Sequence, residues 1–190
     1  MILRAAERRA VPWKNGGGLT REVAAHPPQS DLGNFDWRVS LAEVRRGGPF
    51  SSFPGIDRHM AVISGRLELS ISGRGALSLS SDTAPLSFPG ELAVYAEPQA
   101  EPATDLNVMT RRGRFTARLT RCSVAAATQV RLEADTTLLL ALAPLTLFAT
   151  SIDANLSALD AARFSANAQT LTVRPVAADA ACWLIEIRAA

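Results

Sequence analysis

Short runs of alternating apolar and polar residues make up most of this chain, and they restrict it to an all-β fold. Residues 37–42 alternate as expected of a half-buried strand. Residues 67–71 and 76–80 alternate in the same way around a glycine-containing turn at 72–75, which predicts a hairpin. Long amphipathic helices are absent from the pattern; the best helical candidate, 156–164, is short enough to be a turn. Many short strands with closely spaced turns favour an antiparallel barrel or sandwich.

The strand-and-turn pattern recurs in the second half of the chain, which predicts two β units, residues 1–119 and 120–190. A second hairpin is predicted at residues 138–150. Composition also differs between the units. Both histidines and two of the three tryptophans lie in residues 13–60, whereas 123–190 is rich in alanine, leucine and threonine. We therefore expect any chemistry to belong to the first unit and the second unit to serve as scaffold.

Net charge argues against a nucleic-acid partner. The chain carries a formal charge of +2 over 190 residues, without the strong basic excess of a nucleic-acid binder. Several arginines cluster between residues 111 and 121, but a solvated strand face explains them. We therefore expect no binding to DNA or RNA.

Cysteine usage and hydropathy predict a cytoplasmic protein. Cys122 and Cys182 are the only cysteines and form no C-x-x-C pair, so two buried thiols in a reducing compartment are expected. The most apolar stretch, residues 138–149, contains Pro144 and is too short to cross a bilayer as a helix. Residues 1–13 hold no apolar run long enough for a signal peptide. No membrane partner is therefore expected.

The single lysine is the first candidate for a functional residue. Nineteen of the 20 basic residues are arginine; the exception, Lys14, precedes Asn15 and the glycine run that starts at Gly16, with Thr20 and Glu22 shortly after. Lysine offers a compact, mobile ammonium that the planar guanidinium of arginine cannot replace. Glycines beside it let the backbone approach a ligand closely. The alternative is a solvated lysine before a flexible turn.

A carboxylate site is predicted if the polar faces of two strands line a barrel mouth. Thr20 and Glu22 share one strand face, and Arg38 and Ser40 share a face of the next strand. Arg38 would bind a carboxylate bidentately and Lys14 would add a point charge. Glu22 would hold one cation in place or accept a hydrogen bond from the ligand. The alternative is that all of these residues face water, because strand phase alone does not say which face is buried. The opposite, apolar face of the second strand (Trp37, Val39 and Leu41) is expected in the main core.

A stiff, aromatic loop at residues 47–59 forms the second candidate. Two Gly/Pro turns bracket Phe50 and Phe53, and the loop leads through Arg58 and His59 into a strand. Arg58 and His59 at a strand mouth suggest an anion-binding or acid–base pair. The alternative is a structural loop whose phenylalanines fill the core and whose histidine is structural.

Asn107 is the third candidate. It shares a strand face with Asp105 and Met109, and its amide could supply both a donor and an acceptor to a pocket. A turn-capping aspartate and an exposed asparagine are equally ordinary outcomes for this segment.

No metal or cofactor is expected. A mononuclear site in a small β-barrel usually needs two or three histidines and a carboxylate, whereas this chain has only His26 and His59 and no H-x-H. His26 precedes two prolines and is expected in a loop. The sequence also has no phosphate-binding fingerprint or nucleophile elbow.

The residues also resemble a known family. Residues 63–70 and 89–95 resemble the motifs of a cupin barrel without its metal-ligating histidines, and the whole chain resembles the HutD/Ves family. Four segments in order carry the resemblance: Trp13-Lys14-Asn15-Gly-Gly-Gly-x-Thr20-x-Glu22, Asp36-Trp-Arg38-Val-Ser40-Leu-Ala42, Gly48-Pro-Phe50-Ser-Ser-Phe53-Pro-Gly-Ile-Asp-Arg58, and Asp105-Leu-Asn107-Val-Met109.

This resemblance implies a bicupin, with two antiparallel β-barrel (jelly-roll) units fused in one compact chain. It also implies a bacterial cytoplasmic protein linked to histidine utilisation, with small acids such as urocanate, formylglutamate or formate as ligands. Family positions carried onto this sequence give these pocket candidates: Lys14, Asn15, Gly16, Thr20, Glu22, Arg38, Ser40, Phe53, Arg58 and Asn107, with His59 directly after the third segment.

Three functions remain open at this point. The leading one is a metal-independent bicupin that binds a small carboxylate metabolite and modulates histidine utilisation. The second is a cofactor-free isomerase or hydrolase acting on the same acids, with Glu22 or His59 as general base and Lys14 or Arg38 stabilising the anion. The third is a protein that acts only by contacting a partner. Exposed cupin sheet edges often pair, so a homodimer is also expected.

Overall fold

The computed structural model describes residues 1–149, 152–165, 169–178 and 180–190. Within these ranges the chain forms strands joined by turns, together with one short 3-10 helix, η1, which confirms the all-β fold class. In chain order the elements are β1 (Ile2–Leu3), η1 (Ala5–Glu7), β2 (Ala10–Pro12), β3 (Gly18–His26), β4 (Trp37–Val44), β5 (Gly48–Pro49), β6 (Ile56–Ser64), β7 (Arg66–Ile71), β8 (Gly75–Ser80), β9 (Leu86–Pro89), β10 (Val94–Pro98), β11 (Ala103–Arg111), β12 (Phe115–Val124), β13 (Thr128–Leu132), β14 (Thr136–Ala141), β15 (Leu145–Ala149), β16 (Ile152–Leu156), β17 (Ala161–Ser165), β18 (Gln169–Pro175) and β19 (Ala180–Ala189).

The chain divides into two compact units. The first unit is residues 9–116, and the second combines residues 117–190 with residues 1–8. The predicted division instead assigned residues 1–119 to the first unit. The first eight residues belong to the second unit because β1 pairs antiparallel with β17, with Leu3 opposite Ala161.

In the first unit, two antiparallel sheets enclose a core. A six-stranded sheet has the order β2-β3-β4-β11-β6-β9, and a four-stranded sheet has the order β5-β10-β7-β8. The predicted hairpin is confirmed as β7 and β8, with Leu69 opposite Leu77. Strands of both sheets contribute to one apolar core: Val44, Met60, Val62, Leu67, Leu69, Ile71, Leu79, Phe88, Val94, Ala96 and Ala103.

Both faces of β4 are buried, which decides where its polar residues point. Val44 packs in the core between the two sheets. Trp37, Val39 and Leu41 are buried too, but alternation puts them on the opposite face of the strand from Val44. The prediction that these three residues are part of the core is confirmed by their burial, although they do not belong to the apolar cluster between the two sheets. Arg38 shares the Val44 face, so its side chain is directed towards the enclosed side of the sheet.

The second unit repeats this plan with a different strand order. Its sheets have the orders β1-β17-β14-β19-β12 and β13-β18-β15-β16, and they share an apolar core that includes Leu139, Leu145 and Leu171. The hairpin predicted at residues 138–150 is wrong: β14 pairs with β17 and β19, whereas β15 pairs with β16 and β18. Both neighbours of β14 are already supplied by other strands, so the chain changes sheet at Ala143 and Pro144. Residue 150 lies outside the described residues.

The segment 156–164 is not a helix. Leu156 ends β16, and a turn leads from it into β17. Among the described residues, no helix has the length and apolar character needed to cross a membrane.

Candidate functional site

An inward-facing patch of polar side chains crosses the six-stranded sheet of the first unit. Glu22, Ser40 and Asn107 lie opposite one another on β3, β4 and β11. Arg38 on β4 and Arg58 on β6 occupy the neighbouring row, on either side of β11. Because residues in register share a face, all five side chains start from the same side of the sheet, the side that faces the core. We call these five residues the interior patch.

Arg58 lies in the most apolar part of the interior patch. Its residue exposure is 5%, and its guanidinium carbon lies 4.9 Å, 5.8 Å and 5.2 Å from the ring centroids of Phe50, Phe53 and Phe88. These are distances at which a cation is attracted to an aromatic face. Its Nη2 donates to Oδ1 of Asn107 at 2.6 Å. Phe53 also packs against a buried apolar cluster, which agrees with the structural alternative for this loop.

The charge of Arg58 is poorly compensated. Burial lowers its pKa to about 10; the attraction of Asp105 opposes this shift, and the repulsion of Arg38 adds to it. Its buried Nε has no hydrogen-bond partner among the described residues. One N–H donor in the middle of the patch is therefore left for another acceptor.

Asp105 is a buried acidic residue that the predicted set of site residues omits. It is not a turn cap but lies within β11 with an exposure of 0%. Its Oδ1 accepts a hydrogen bond from Nδ2 of Asn107, and its buried Oδ2 has no partner among the described residues. Burial raises the pKa of this carboxyl to about 7, against the opposing effects of Arg58 and the Asn107 hydrogen bond. The sequence places Asp105 on one strand face with Asn107 but does not show that this face is buried.

Arg38 joins the buried part of the patch to its edge. Its Nε donates to Oε2 of Glu22 at 2.8 Å, and its Nη1 donates to Oγ of Ser40 at 3.3 Å. The Arg38 side chain is 11% exposed and that of Glu22 is 41% exposed, so the cation lies deeper than its counter-ion. Two guanidinium groups thus face the partly solvated carboxylate of Glu22 and the carboxyl of Asp105. Burial disfavours the ionised form of Asp105.

The glycine run lies in the tight turn between β2 and β3. The N–H of Gly16 donates to the carbonyl of Trp13 at 3.0 Å, and Gly16 has a φ of +67°. Oδ1 of Asn15 accepts from the N–H of the next glycine at 2.9 Å. A Cβ on Gly18 would lie 2.2 Å from the carbonyl oxygen of Glu43. The glycines are therefore required by the turn and by the start of β3, independently of any ligand.

Lys14 is not brought together with Arg38. It is exposed and makes no hydrogen bond or ion pair with any described residue. Gly18, at the start of β3, pairs with Val44, at the end of β4. Ser40 of the interior patch lies four residues before Val44, which corresponds to about 13 Å of strand. The turn that carries Lys14 lies beyond Gly18. Nearer to the patch, Thr20 accepts a hydrogen bond from the indole N–H of Trp13 at 2.8 Å.

His59 lies outside the interior patch. It follows Arg58 in β6, so its side chain leaves the opposite face of the strand, where its Nδ1 is 2.7 Å from Oγ of Ser87. Burial lowers its pKa, and the nearby Asp57 opposes this shift. The prediction that His26 lies in a loop is wrong. It is the last residue of β3, and its ring stacks on that of Trp37 with the ring centroids 5.9 Å apart.

Two units of paired antiparallel sheets in a single chain define a bicupin. A variant of the oxalate decarboxylase of Bacillus subtilis, a bicupin, superposes with a TM-score of 0.70 at 10% identity, over 99% of this chain and 76% of that one. This likeness shows the fold alone. The profile of the HutD family matches residues 5–183, and the chain belongs to this family, which is linked to histidine utilisation.

Named relatives agree with this assignment. HutD from Pseudomonas fluorescens SBW25 superposes with a TM-score of 0.84 at 28% identity, over 100% of this chain and 98% of that one. Protein Ves from Citrobacter koseri is 36% identical over 109 residues, 56% of each chain. An uncharacterized 21.2 kDa protein in the hutC 3' region of Pseudomonas putida is 34% identical over 119 residues, 62% of each chain. These two sequence matches thus span less than two thirds of the relatives' length.

The interior patch does not suit the metal that some bicupins hold. Oxalate decarboxylase from Bacillus subtilis has Mn(II) centres. Here the polar groups at the centre of the patch are the guanidinium N–H donors of Arg38 and Arg58, which repel a cation and offer it no lone pair. Across the described part of the chain, no group of three or more His, Cys, Asp or Glu side chains is placed to hold a metal ion.

Proposed function

We propose that the interior patch binds a small carboxylate and that this binding modulates histidine utilisation. The observation that carries the proposal is the pair of arginines, Arg58 buried and Arg38 partly buried, with too little negative charge around them. Arg38 lowers the pKa of Arg58, and the Nε–H of Arg58 has no acceptor among the described residues. An anion between the two guanidinium groups would relieve their repulsion and accept this hydrogen bond.

The surrounding residues suit an organic acid. A guanidinium donates two parallel hydrogen bonds to a carboxylate, the geometry for which arginine is best adapted. Ser40 and Asn107 add a hydroxyl and an amide that can orient the ligand. The rings of Phe50 and Phe53 provide an apolar wall for the carbon part of the molecule.

The exposed turn has a different part in this proposal. Lys14, Asn15 and Gly16 lie in the turn, and Thr20 is attached to it through Trp13. The Lys14 ammonium contributes by attracting anions at long range, an effect that falls with ionic strength. Direct contact with the ligand belongs to Arg38 and Arg58.

Calorimetric titration with formate, urocanate and formylglutamate tests the proposal. Formate is the first probe, since the structure of the Pseudomonas fluorescens relative is described for a formate condition. We expect at least one of the three acids to bind, and Arg38→Gln to weaken it roughly 10- to 100-fold, the loss expected for one charge-assisted contact. Arg38→Lys keeps the charge without the planar fork and should recover only part of the affinity.

Arg9→Gln is the matched control, because Arg9 is an exposed arginine of the same unit. It should bind like the parent. If none of the acids binds even at millimolar concentration, or if Arg38→Gln keeps the parent affinity, the proposal is wrong.

A cofactor-free enzyme acting on the same acids is the second candidate. One observation favours it: a titratable group, Asp105, lies on the same side of the sheet as the two arginines and has a pKa of about 7. Glu22 is also in the patch, whereas His59 is not. Turnover of a pathway acid by the purified protein, lost in Glu22→Gln or Asp105→Asn, would favour an isomerase or hydrolase over a binding protein.

A further inference from the structure

The two cysteines of the second unit are neighbours. Cys122 lies on β12 and Cys182 on β19, and these strands are adjacent in the five-stranded sheet. Cys182 is 1% exposed and belongs to the apolar core of the unit. Cys122 is half-buried and packs against the same core. Both side chains therefore lie on the same face of the sheet.

Each thiol affects the protonation of the other. A hydrogen bond from the Cys182 thiol lowers the pKa of Cys122 to about 7, although burial and the nearby Glu186 act in the opposite direction. The same interaction, together with burial, raises the pKa of Cys182. Cys122 is thus the better nucleophile and the more accessible thiol, whereas Cys182 is buried.

The spacing suits a covalent bridge. Neighbouring strands lie about 4.8 Å apart. The Cα atoms of a disulfide are usually about 4.4–6.8 Å apart, so two cysteines that face the same core from adjacent strands are placed for a bridge.

We propose that Cys122 and Cys182 form a reactive dithiol that small-molecule disulfides oxidise to an intramolecular disulfide. The Cys122 thiolate attacks one sulfur of the small disulfide, whose S–S bond breaks and releases one thiolate. That thiolate takes the proton of Cys182. The sulfur of Cys182 then attacks Sγ of Cys122 and expels the second small thiolate, which takes a proton from water. The two protein thiols are oxidised, and one small disulfide is reduced to two thiols.

The bridge would act on an edge of the sheet. β12 ends the strand order β1-β17-β14-β19-β12, so one of its edges has no partner in this sheet. The disulfide would fix this edge strand to β19 and close the loop that runs from residue 122 to residue 182. It restricts the unfolded chain, so the oxidised protein should unfold at a higher temperature than the reduced one.

The experiment uses the full chain with oxidised glutathione at neutral pH. We expect the intact mass to fall by two hydrogen atoms, the free thiols to disappear, and a peptide map to link the segments that contain Cys122 and Cys182. Cys182→Ala should stop at the mixed disulfide and carry one glutathione. Cys122→Ala should remain unmodified in the folded state, because Cys182 is buried.

Two outcomes would overturn the proposal. One is parent protein that keeps both free thiols, and the other is stable glutathione adducts without the cross-link. Thermal unfolding gives a second readout: the midpoint should rise on oxidation, return to its starting value with dithiothreitol, and not rise in Cys182→Ala. The peptide map of the parent decides the matter even if that variant fails to fold.

Discussion

The Asp160→Ala variant is expected to lose about 3 kcal/mol of unfolding free energy, because several donors around a buried acceptor are left unpaired at once. Asp160 is 4% exposed. Its carboxylate accepts hydrogen bonds from Nη1 of Arg4 at 2.8 Å, the N–H of Ala5 at 2.7 Å and the N–H of Ser157 at 3.0 Å. It thereby attaches the first residues of the chain to the turn before β17. Urea denaturation followed by fluorescence and circular dichroism measures the loss.

Asp153→Ala is the matched control, since Asp153 is an exposed aspartate of the same unit, on β16. It should change stability little. Burial would raise the pKa of Asp160, but the hydrogen bonds from Ala5, Arg4 and Ser157 more than offset it and leave that pKa below its ordinary value. The stabilisation is therefore present above the unfolded-state pKa and is lost as the pH falls through the folded-state pKa. Equal stabilities of Asp160→Ala and the parent at pH 7 would contradict this account.

Asp105 should give the parent protein the opposite pH dependence, and the Asp105→Asn variant should lack it. The folded-state pKa of Asp105 is raised to about 7, so the folded protein holds this proton more tightly than the unfolded chain does. Its contribution to stability is present below the unfolded-state pKa and is lost as the pH rises towards 7. Between pH 5 and pH 8 the parent should lose about 2–3 kcal/mol relative to the variant. Urea denaturation of both proteins at pH 5, 6, 7 and 8 measures the difference.

Asp82→Asn serves as the control for this series, since Asp82 is an exposed aspartate of the same unit. Its curve should run parallel to that of the parent. A parallel curve for Asp105→Asn would show that the buried carboxyl does not titrate in this range, and would remove the acid–base group on which the enzymatic alternative depends.

Local alternation was enough to predict the elements that depend on near neighbours. The hairpin of β7 and β8 and the strand β4 follow from periodicity and turn residues, which act over a few positions. The direction in which Arg38 and Ser40 point does not follow from the sequence, for a physical reason. Both faces of β4 are buried, so apolar residues on one face do not mark the other as solvent-facing.

The burial of Asp105 and the pairing of β14 and β15 could not be predicted from the sequence. A charged residue is seldom fully buried, so an aspartate beside a turn-like segment suggests the surface, and only the strands on either side of β11 reveal otherwise. In the same way, the local sequence does not show whether β14 and β15 pair as a hairpin or belong to two different sheets. Their pairing is decided by distant strands, including β17 and β19.

The pairing of β1 with β17 has a consequence for translation. Ala5 and Asp160 are joined across 155 residues, so β1 is synthesised long before the strand with which it pairs. The strands of residues 9–116 are all made before that partner exists, and they can associate while synthesis continues. The pairing of β1 in its sheet cannot form until β17 has been synthesised. A nascent chain halted before β17 would therefore hold its first residues without their native neighbour.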